Sequence, residues 1–170
     1  MDNNDIGDDT LHITKSNGRI NNLRVSNCFS DCIDFDYSNY LINNLISINS
    51  VNDGLDLMET QIIGKKLSFI NALDKGISVG ENSTLVAEDV IIKKSNIGIA
   101  SKDNSTVNVK NIGIYNCLVG VDTYRKNWRY SLPGSIKLKN QTFKENKVDI
   151  SAENLAYIKF NYGNLNTIQK

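Results

Sequence analysis

Apolar and polar positions along the chain repeat with a period of 22 residues. Four glycines, each followed by an aliphatic residue, mark this period: Gly54, Gly76, Gly98 and Gly120. One repeat earlier, Cys32 and Ile33 occupy the same two positions. A fixed period of roughly 20 to 50 residues is the signature of a solenoid, in which each repeat buries its apolar side only against its neighbours. The pattern therefore predicts a stack of short coils, with one coil per repeat.

Each repeat contains three apolar segments. Two further series recur every 22 residues, namely Leu41, Ile63, Leu85, Val107 and Ile48, Ile70, Ile92, Ile114. Near the glycines the pattern alternates, with Asp34 between Ile33 and Phe35, which is typical of a strand. Three short strands per repeat predict an all-β fold, a right-handed parallel β-helix of about six 22-residue rungs. Short β-branched return segments argue against a leucine-rich repeat, which needs a helical return.

The period is interrupted once, and this interruption shapes the predicted domain organisation. Spacing rises to 29 residues from Val107 to Ile136, which places seven extra residues within 123–134. We expect a flexible N-terminal segment over residues 1–9 and a single β-helix domain over 10–170, with a loop insertion near 123–134. Because the polar residues 1–9 cannot cover the apolar end of a stack, the chain is expected to be part of a larger protein.

Asparagines recur at one predicted turn. Asn27, Asn49 and Asn71 lie 22 residues apart and are expected to stack as a ladder, each side-chain amide bonding the next one. In the following repeat this spacing falls on Lys93, where we expect the ladder to end.

Composition narrows the function classes. Nineteen basic residues balance nineteen acidic ones, so no net field favours nucleic acid, and no apolar run is long enough for a membrane span. We expect Cys28, Cys32 and Cys117 to be unpaired and buried or half-buried. A zinc site is not expected either, because it would need a second pair of ligands. The single histidine, His12, excludes a His pair and is expected on an exposed strand.

The repeats resemble the pectate-lyase-like superfamily of right-handed parallel β-helix proteins over roughly residues 20 to 158. The phrases that carry this resemblance are Asp53-Gly54-Leu55-Asp56, Asp74-Lys75-Gly76-Ile77-Ser78-Val79-Gly80 and Asn96-Ile97-Gly98-Ile99-Ala100. The resemblance implies a carbohydrate-facing role and favours an extracellular or cell-surface location. Because that superfamily includes lyases, hydrolases, epimerases and non-catalytic modules, it leaves the activity open.

Carboxylates form the first candidate site. If Ile33 and its equivalents point inward, Asp34 and Asp56 lie one rung apart on the outer face, with Asp36 beside them. Such carboxylates are candidates for Ca²⁺ ligands, through Asp34 and Asp56, or for an acid and base pair, through Asp34, Asp36 and Asp56. Lys75 and Lys102 are the nearest basic residues by column. The alternative is a solvated charged face that discourages edge pairing.

The inserted loop forms the second candidate site. Five of its residues suit an acidic glycan, because aromatic rings stack on sugars and guanidinium groups bind carboxylates. These residues are Tyr124, Arg125, Trp128, Arg129 and Tyr130. The alternative is a loop that folds back over a rung edge, with Trp128 as its hydrophobic anchor.

These sites leave three functions open. We favour a non-catalytic carbohydrate-binding or structural β-helix module whose partner is a polysaccharide or glycan, possibly acidic. The first alternative is a polysaccharide-active enzyme, a lyase, glycoside hydrolase or epimerase that uses the surface carboxylates. The second is an assembly subunit that stacks end to end on another chain through its terminal rungs. We expect no cofactor, or Ca²⁺ alone, and neither a nucleic-acid partner nor membrane insertion.

Overall fold

The chain is a parallel β-solenoid of about seven turns with a spacing of about 22 residues. The computed structural model describes the backbone of residues 2–4, 7–160 and 167–169, and the side chains of residues 7–160. Within these residues the secondary structure consists of strands and turns, without a helix. The predicted all-β solenoid class is therefore confirmed.

The strands alternate along the chain between two parallel sheets. In chain order they are β1 (Asp2–Asn4), β2 (Leu11–Thr14), β3 (Asn17–Cys28), β4 (Ile33–Asp36), β5 (Asn39–Ser50), β6 (Asp56–Met58), β7 (Gln61–Ala72), β8 (Lys75–Gly80), β9 (Thr84–Lys93), β10 (Ile97–Lys102), β11 (Thr106–Tyr115), β12 (Val119–Tyr124), β13 (Ser135–Lys144), β14 (Val148–Ala152), β15 (Tyr157–Phe160) and β16 (Thr167–Gln169). Odd-numbered strands pair in order in the first sheet, and even-numbered strands pair in order in the second sheet.

The solenoid has one turn more than the sequence predicts. Leu11 pairs with Ile33 at the N-terminal side, and β1, which lies in the segment predicted to be flexible, pairs with β3. These strands precede the first glycine-marked repeat, so the period alone does not reveal them. Residues 161–166, between β15 and β16, lie outside the described residues.

Two of the three predicted strands in each repeat are one continuous strand. The long strands of the first sheet span 10 to 12 residues from β3 to β13, and each contains two of the apolar segments. Inside β7 the alternation is broken by two consecutive exposed residues, Lys65 and Lys66, between the buried Gly64 and Leu67. The chain thus bends without ending the strand, so the predicted turn at this point is a corner within the first sheet.

The predicted apolar columns are wrong by one position between β7 and β9. Ile62 pairs with Leu85, and Ile63 pairs with Val86, which corresponds to a spacing of 23. Ile63 is 55% exposed, whereas Leu85 is fully buried. Because side chains alternate between faces, this slip of one residue moves Ile63 from the core to the surface.

A compensating change explains why the slip is hidden. The turn over 81–83 holds one extra residue, and the corner after Lys93 holds one fewer, since Lys75 again pairs with Ile97 at a spacing of 22. The distance between successive glycines therefore stays constant, although the register of the first sheet changes.

The glycine column is required by close backbone contact. A Cβ atom at Gly98 would lie 2.4 Å from the carbonyl oxygen of Gly120, and one at Gly76 would lie 2.8 Å from that of Gly98. Both neighbours are backbone atoms of the next turn, so neither has room to move aside. The next residues along the chain, such as Ile77 and Ile99, point inward and are fully buried.

Side-chain ladders stabilise the corners. The predicted asparagine ladder is confirmed, because Asn49 donates to Asn27 over 2.8 Å and Asn71 donates to Asn49 over 2.9 Å. The next residue in this column is Lys94 and not Lys93, as a result of the register slip. Lys94 keeps the left-handed backbone of the column, with φ 58° against 60° at Asn71.

A second ladder runs inside the solenoid. Hydroxyl groups at one buried corner accept a hydrogen bond from the backbone N–H of the preceding turn, as Thr60 does from Ser38 and Ser83 does from Thr60. The ladder continues from Ser83 to Ser105. Buried backbone donors that leave the sheets at these corners are thereby satisfied.

A disulfide bond joins Cys28 to Cys32 across the corner between β3 and β4. The expectation that these cysteines are unpaired is therefore wrong. The tight corner places their Cα atoms 5.2 Å apart, a separation that a disulfide bond spans. The spacing of zinc ligands in the sequence gives no sign of this proximity. Cys117 is a free, buried cysteine, as predicted.

We predict that Gly98→Ala lowers the free energy of unfolding by about 1–3 kcal/mol, since the new methyl group collides with backbone of the next turn. Urea denaturation followed by circular dichroism would measure this loss. Gly18→Ala is the matched control, because its Cβ would meet only the tip of the Tyr40 ring, which can rotate away. An equal loss in both variants would contradict the proposed role of the glycine column.

Candidate functional site

Acidic side chains gather on the outer face of the second sheet, in its first turns. The 22-residue period builds this group, because Asp9, Asp31 and Asp53 share one column while Asp34 and Asp56 share another. We call the following set the acidic cluster: Asp9, Asp31, Asp34, Asp36, Asp53 and Asp56. The cluster brings together all three carboxylates that the sequence nominates, together with three others.

The nominated carboxylates have the predicted arrangement. Asp34 pairs in register with Asp56 on the neighbouring strand, and Asp36 pairs with Met58 two residues further along. Adjacent strands lie about 4.8 Å apart, so the two carboxylates project side by side. Their catalytic and calcium-binding roles stay predictions.

His12 belongs to the same site. Its Nε2 atom lies 3.1 Å from Oδ2 of Asp36 and 3.5 Å from Oδ2 of Asp34. The hydrogen bond with Asp36 raises the pKa of His12, and the charge of Asp34 adds to this effect. Sequence reasoning placed His12 correctly on an exposed strand but missed its partners. Its position 22 residues before Asp34 is the signal that would have revealed them.

Burial raises the pKa of several carboxyl groups in the cluster. The pKa of Asp31 is raised to about 7 by burial, with a contribution from the charge of Asp53. Burial, together with the charges of Asp36 and Asp56, also raises the pKa of Asp34 to about 7. Groups with such values can donate or accept a proton near neutral pH. The cluster therefore has the acid and base capacity that hydrolytic chemistry needs.

Two subgroups have the geometry to hold a cation. Carboxylate oxygens of Asp31, Asp53 and Asp56 lie within 4.8 Å of one another, and ligand atoms of Asp9, His12 and Asp34 meet the same limit. The two predicted calcium ligands, Asp34 and Asp56, therefore belong to different subgroups. Oxygen atoms are the ligands that Ca²⁺ prefers, which makes the first subgroup, with three carboxylates, the better candidate.

Lys75 and Lys102 partly neutralise the cluster. The ammonium group of Lys75 lies 3.4 Å from Asp53 and makes a second, short contact with Asp74. Burial opposes the charge of Lys75, but these two carboxylates raise its pKa above the usual value. A lysine that holds its proton this firmly is a poor base, so the structure argues against Lys75 as a proton acceptor.

Lys102 is the basic residue in contact with a nominated carboxylate. Its Nζ atom lies 3.9 Å from Oδ1 of Asp56, and the side chain is almost fully buried. Gly80 leaves the space for this side chain, because a Cβ there would lie 3.0 Å from Cε of Lys102. The predicted proximity of Lys102 to the acidic residues is therefore confirmed.

The inserted loop lies between β12 and β13, as the spacing predicts. Val107 pairs with Ile136 at a separation of 29 residues. The backbone of the loop is held by a buried carboxylate, since Oδ1 of Asp103 accepts from the N–H groups of Lys126 and Asn127 over 2.8 and 2.9 Å. Asn104 holds the far side of the loop through two hydrogen bonds with the backbone of Leu132.

Trp128 projects from this loop into solvent. Its exposed fraction is 84%, so it does not anchor the loop to a rung edge, and that alternative is wrong. Arg129 is also exposed, whereas Tyr130 is half-buried. The polar anchors Asp103 and Asn104 perform the role that the alternative assigned to the indole ring.

Tyr124 and Arg125 face a separate open groove at the base of the loop. This groove has a volume of about 680 Å³ and is also lined by Asp122 and Glu153. Burial raises the pKa of Tyr124 to about 12, so its hydroxyl stays protonated as a hydrogen-bond donor at neutral pH. Four of the five predicted binding residues are thus exposed on the loop or line its base.

No family model matches the chain, and neither a curated protein nor a solved structure does. Among the described residues, no helix has the length and apolarity that crossing a bilayer requires.

The raised pKa values predict a stability that falls as the pH rises. Asp31 and Asp34 bind protons more tightly in the folded state, where their pKa values are about 7 and not the ordinary 3.8 of an aspartic acid, so the folded state holds extra protons between these two values. The contribution of these two groups to the free energy of unfolding is therefore fully present below about pH 4 and is lost as the pH rises through about 7. The raised pKa of His12 acts in the same direction.

We expect Asp34→Asn to flatten this dependence, because the amide removes one of the groups that take up a proton on folding between about pH 4 and about pH 7. Urea midpoints measured from about pH 4.5 to about pH 8 would show the smaller slope. The control is Glu145→Gln, which changes an exposed acid directly after β13. This variant should keep the wild-type slope. A wild-type stability that rises with pH over this range would refute the expectation.

Proposed function

We propose that this chain is a glycan-binding β-solenoid module. The proposal rests on Trp128, whose aromatic ring projects into solvent. Its loop is held in place by hydrogen bonds from the loop backbone to Asp103 and Asn104. Large exposed aromatic residues are costly in solvent, and stacking on the apolar face of a sugar ring would cover this one.

Preorganisation of the loop supports a binding role. Asp103 accepts two hydrogen bonds from backbone N–H groups, and Asn127 accepts a third from the N–H of Arg129. A ligand that meets such a loop loses little free energy in ordering it. The guanidinium of Arg129 and the groove beside Tyr124 add hydrogen-bond donors for hydroxyl or carboxylate groups of a sugar.

Two further features favour a carbohydrate over other ligands. The repeat phrases resemble the pectate-lyase-like superfamily, whose commonest theme is carbohydrate recognition. The Cys28–Cys32 disulfide supports an extracellular or cell-surface location, because such bonds persist in oxidising compartments. Polysaccharides are abundant partners in that environment.

We predict that Trp128→Ala weakens glycan binding by about tenfold or more, as expected when a central aromatic contact is removed from an interface. A glycan array would identify the ligand, and isothermal titration would then give both affinities. Trp128→Phe should retain most of the affinity, since it keeps an aromatic face.

The matched control for this experiment is Leu132→Ala, which removes another exposed apolar side chain from the same loop. It should leave affinity unchanged. The stability of Trp128→Ala should also equal that of the wild type, because the indole makes no contribution to the core. Unchanged glycan binding in Trp128→Ala would refute the proposed role of the loop.

A polysaccharide-active enzyme is the second candidate, and the acidic cluster favours it. Asp34 and Asp56 project side by side, and the pKa of about 7 at Asp34 suits a general acid. In this mechanism Asp34 protonates the glycosidic oxygen as its bond to the sugar carbon breaks, while Asp56, which lies beside Lys102, stabilises or attacks that carbon.

Catalysis would depend on both carboxylates. We expect Asp34→Asn and Asp56→Asn each to reduce the release of new reducing ends from a susceptible polysaccharide by about a hundredfold or more. Glu59→Gln, an exposed acid beside β6, serves as the control. Full activity in either cluster variant would exclude this mechanism, whereas glycan binding without turnover in the wild type would leave the binding function alone.

A further inference from the structure

Basic side chains form a groove on the outer face of the first sheet, in its last turns. The groove has a volume of about 430 Å³. We call it the basic groove, and its charged rim consists of Lys110, Lys137, Lys139 and Lys159, with Glu88 at its edge. It lies on the opposite sheet from the acidic cluster and belongs to neither site described above.

The lysines of this groove stack against one another. Lys110 pairs in register with Lys139, and Lys137 pairs in register with Lys159. Like charges directly opposite each other on neighbouring strands are destabilising. Among the described residues, no carboxylate lies within ion-pair distance of these four ammonium groups. Glu88 is the one acidic residue among those that line the groove, so four ammonium groups outnumber it and the groove carries a net positive charge.

Charge is segregated along the whole solenoid, although the total is zero. Residues 1–85 contain 12 acidic and 6 basic residues, whereas residues 86–170 contain 7 acidic and 13 basic residues. Because the chain advances along the stacking axis turn by turn, one end of the solenoid is negative and the other end is positive. Two molecules are thus attracted when the last turns of one lie beside the first turns of the other.

Exposed apolar ladders accompany both charged surfaces. Leu41, Ile63 and Val86 stack in register on the first sheet, in the column that continues to Lys137, and each is 40% or more exposed. At the corner beside the acidic cluster, Phe29, Val51 and Leu73 recur every 22 residues and are each 55% or more exposed. Exposed apolar side chains beside a charged surface are typical of a protein interface.

We propose that the basic groove of one molecule binds the acidic cluster of a second copy of this chain. Both surfaces repeat at the same strand spacing of about 4.8 Å, so a ladder of ammonium groups can align with a ladder of carboxylates over successive turns. The contact joins two different surfaces, so it is not self-complementary, and each bound copy leaves one surface free for the next; the result is a chain of staggered solenoids, which ends in a ring only if the rotation between copies closes. This inference does not rest on glycan binding, because neither surface includes the loop that carries Trp128.

A second copy fits the groove better than a foreign polyanion. A single-stranded nucleic acid is bound through aromatic side chains on which its bases stack, and the residues that line the groove include none. The complementary acidic surface, in contrast, is present on the same chain with the matching repeat.

Charge reversal on one surface at a time gives a sharp test. The groove variant Lys137→Glu/Lys159→Glu keeps an intact acidic cluster, and the cluster variant Asp34→Lys/Asp36→Lys keeps an intact groove. Sedimentation velocity at low salt should show concentration-dependent chains for the wild type, which dissociate at about 0.5 M salt because exposed charges are screened. Each variant alone should sediment as a monomer, with self-association weakened by about tenfold or more.

Mixing the two variants is the decisive step. The acidic cluster of the groove variant can bind the groove of the cluster variant, but neither partner can extend further, so the mixture should form a one-to-one dimer. If Asp34→Lys/Asp36→Lys does not fold, Asp34→Asn/Asp36→Asn provides a second cluster variant, which removes both charges with side chains of nearly the same shape. Lys65→Glu/Lys66→Glu, which reverses exposed lysines elsewhere in the first sheet, should still form chains.

Several results would overturn the proposal. A wild type that stays monomeric at low salt and high concentration would do so, as would a mixture of folded variants that remains monomeric. Loss of association in the Lys65→Glu/Lys66→Glu control would show that the contact lies outside the groove. A monomeric wild type whose groove binds a polyuronate or an oligonucleotide would identify a foreign polyanion as the occupant. Loss of glycan binding in Trp128→Ala would leave all these outcomes unchanged.

Discussion

The parallel hydrogen bonds between successive turns determine every other arrangement in this protein. They hold each residue beside its counterpart one turn away, as with Leu11 and Ile33 or Ile99 and Val121. A side chain is therefore always adjacent to a residue about 22 positions distant, whatever the chemistry of the two. Columns of aliphatic residues become the core, and columns of amides or hydroxyls become ladders. The stacking therefore repeats the chemistry of a column from one turn to the next.

This constraint also brings like charges together. Carboxylates in one column are forced to within a strand spacing of one another, which, together with burial, raises the pKa of Asp31 and Asp34. The protein offsets part of this repulsion with basic side chains from adjacent turns. His12 contacts the outer pair of carboxylates, Lys102 contacts Asp56, and Lys75 contacts Asp53. An acidic surface of this kind combines stored repulsion with proton-binding capacity, and both are useful at a binding or catalytic site.

Much of the fold was predictable because periodicity reports directly on stacking. The glycine column, the seven inserted residues and the ladder from Asn27 to Asn71 all follow from spacing alone. Spacing fails where two changes cancel, as between β7 and β9, where the register shifts and returns within one period. It also fails for contacts that depend on the shape of a corner. The disulfide of Cys28 and the exposure of Trp128 are of this type, because each depends on local geometry that the repeat does not encode.

The support of the inserted loop by Asp103 has a consequence for how its recognition can change. Asp103 holds the loop by accepting hydrogen bonds from the backbone N–H groups of residues 126 and 127. Side chains at positions such as 128 and 129 are thus uncoupled from the conformation that presents them. New specificities can arise there by simple exchange of residues, while the solenoid beneath keeps its structure. The molecule is built as a constant scaffold with an interchangeable tip.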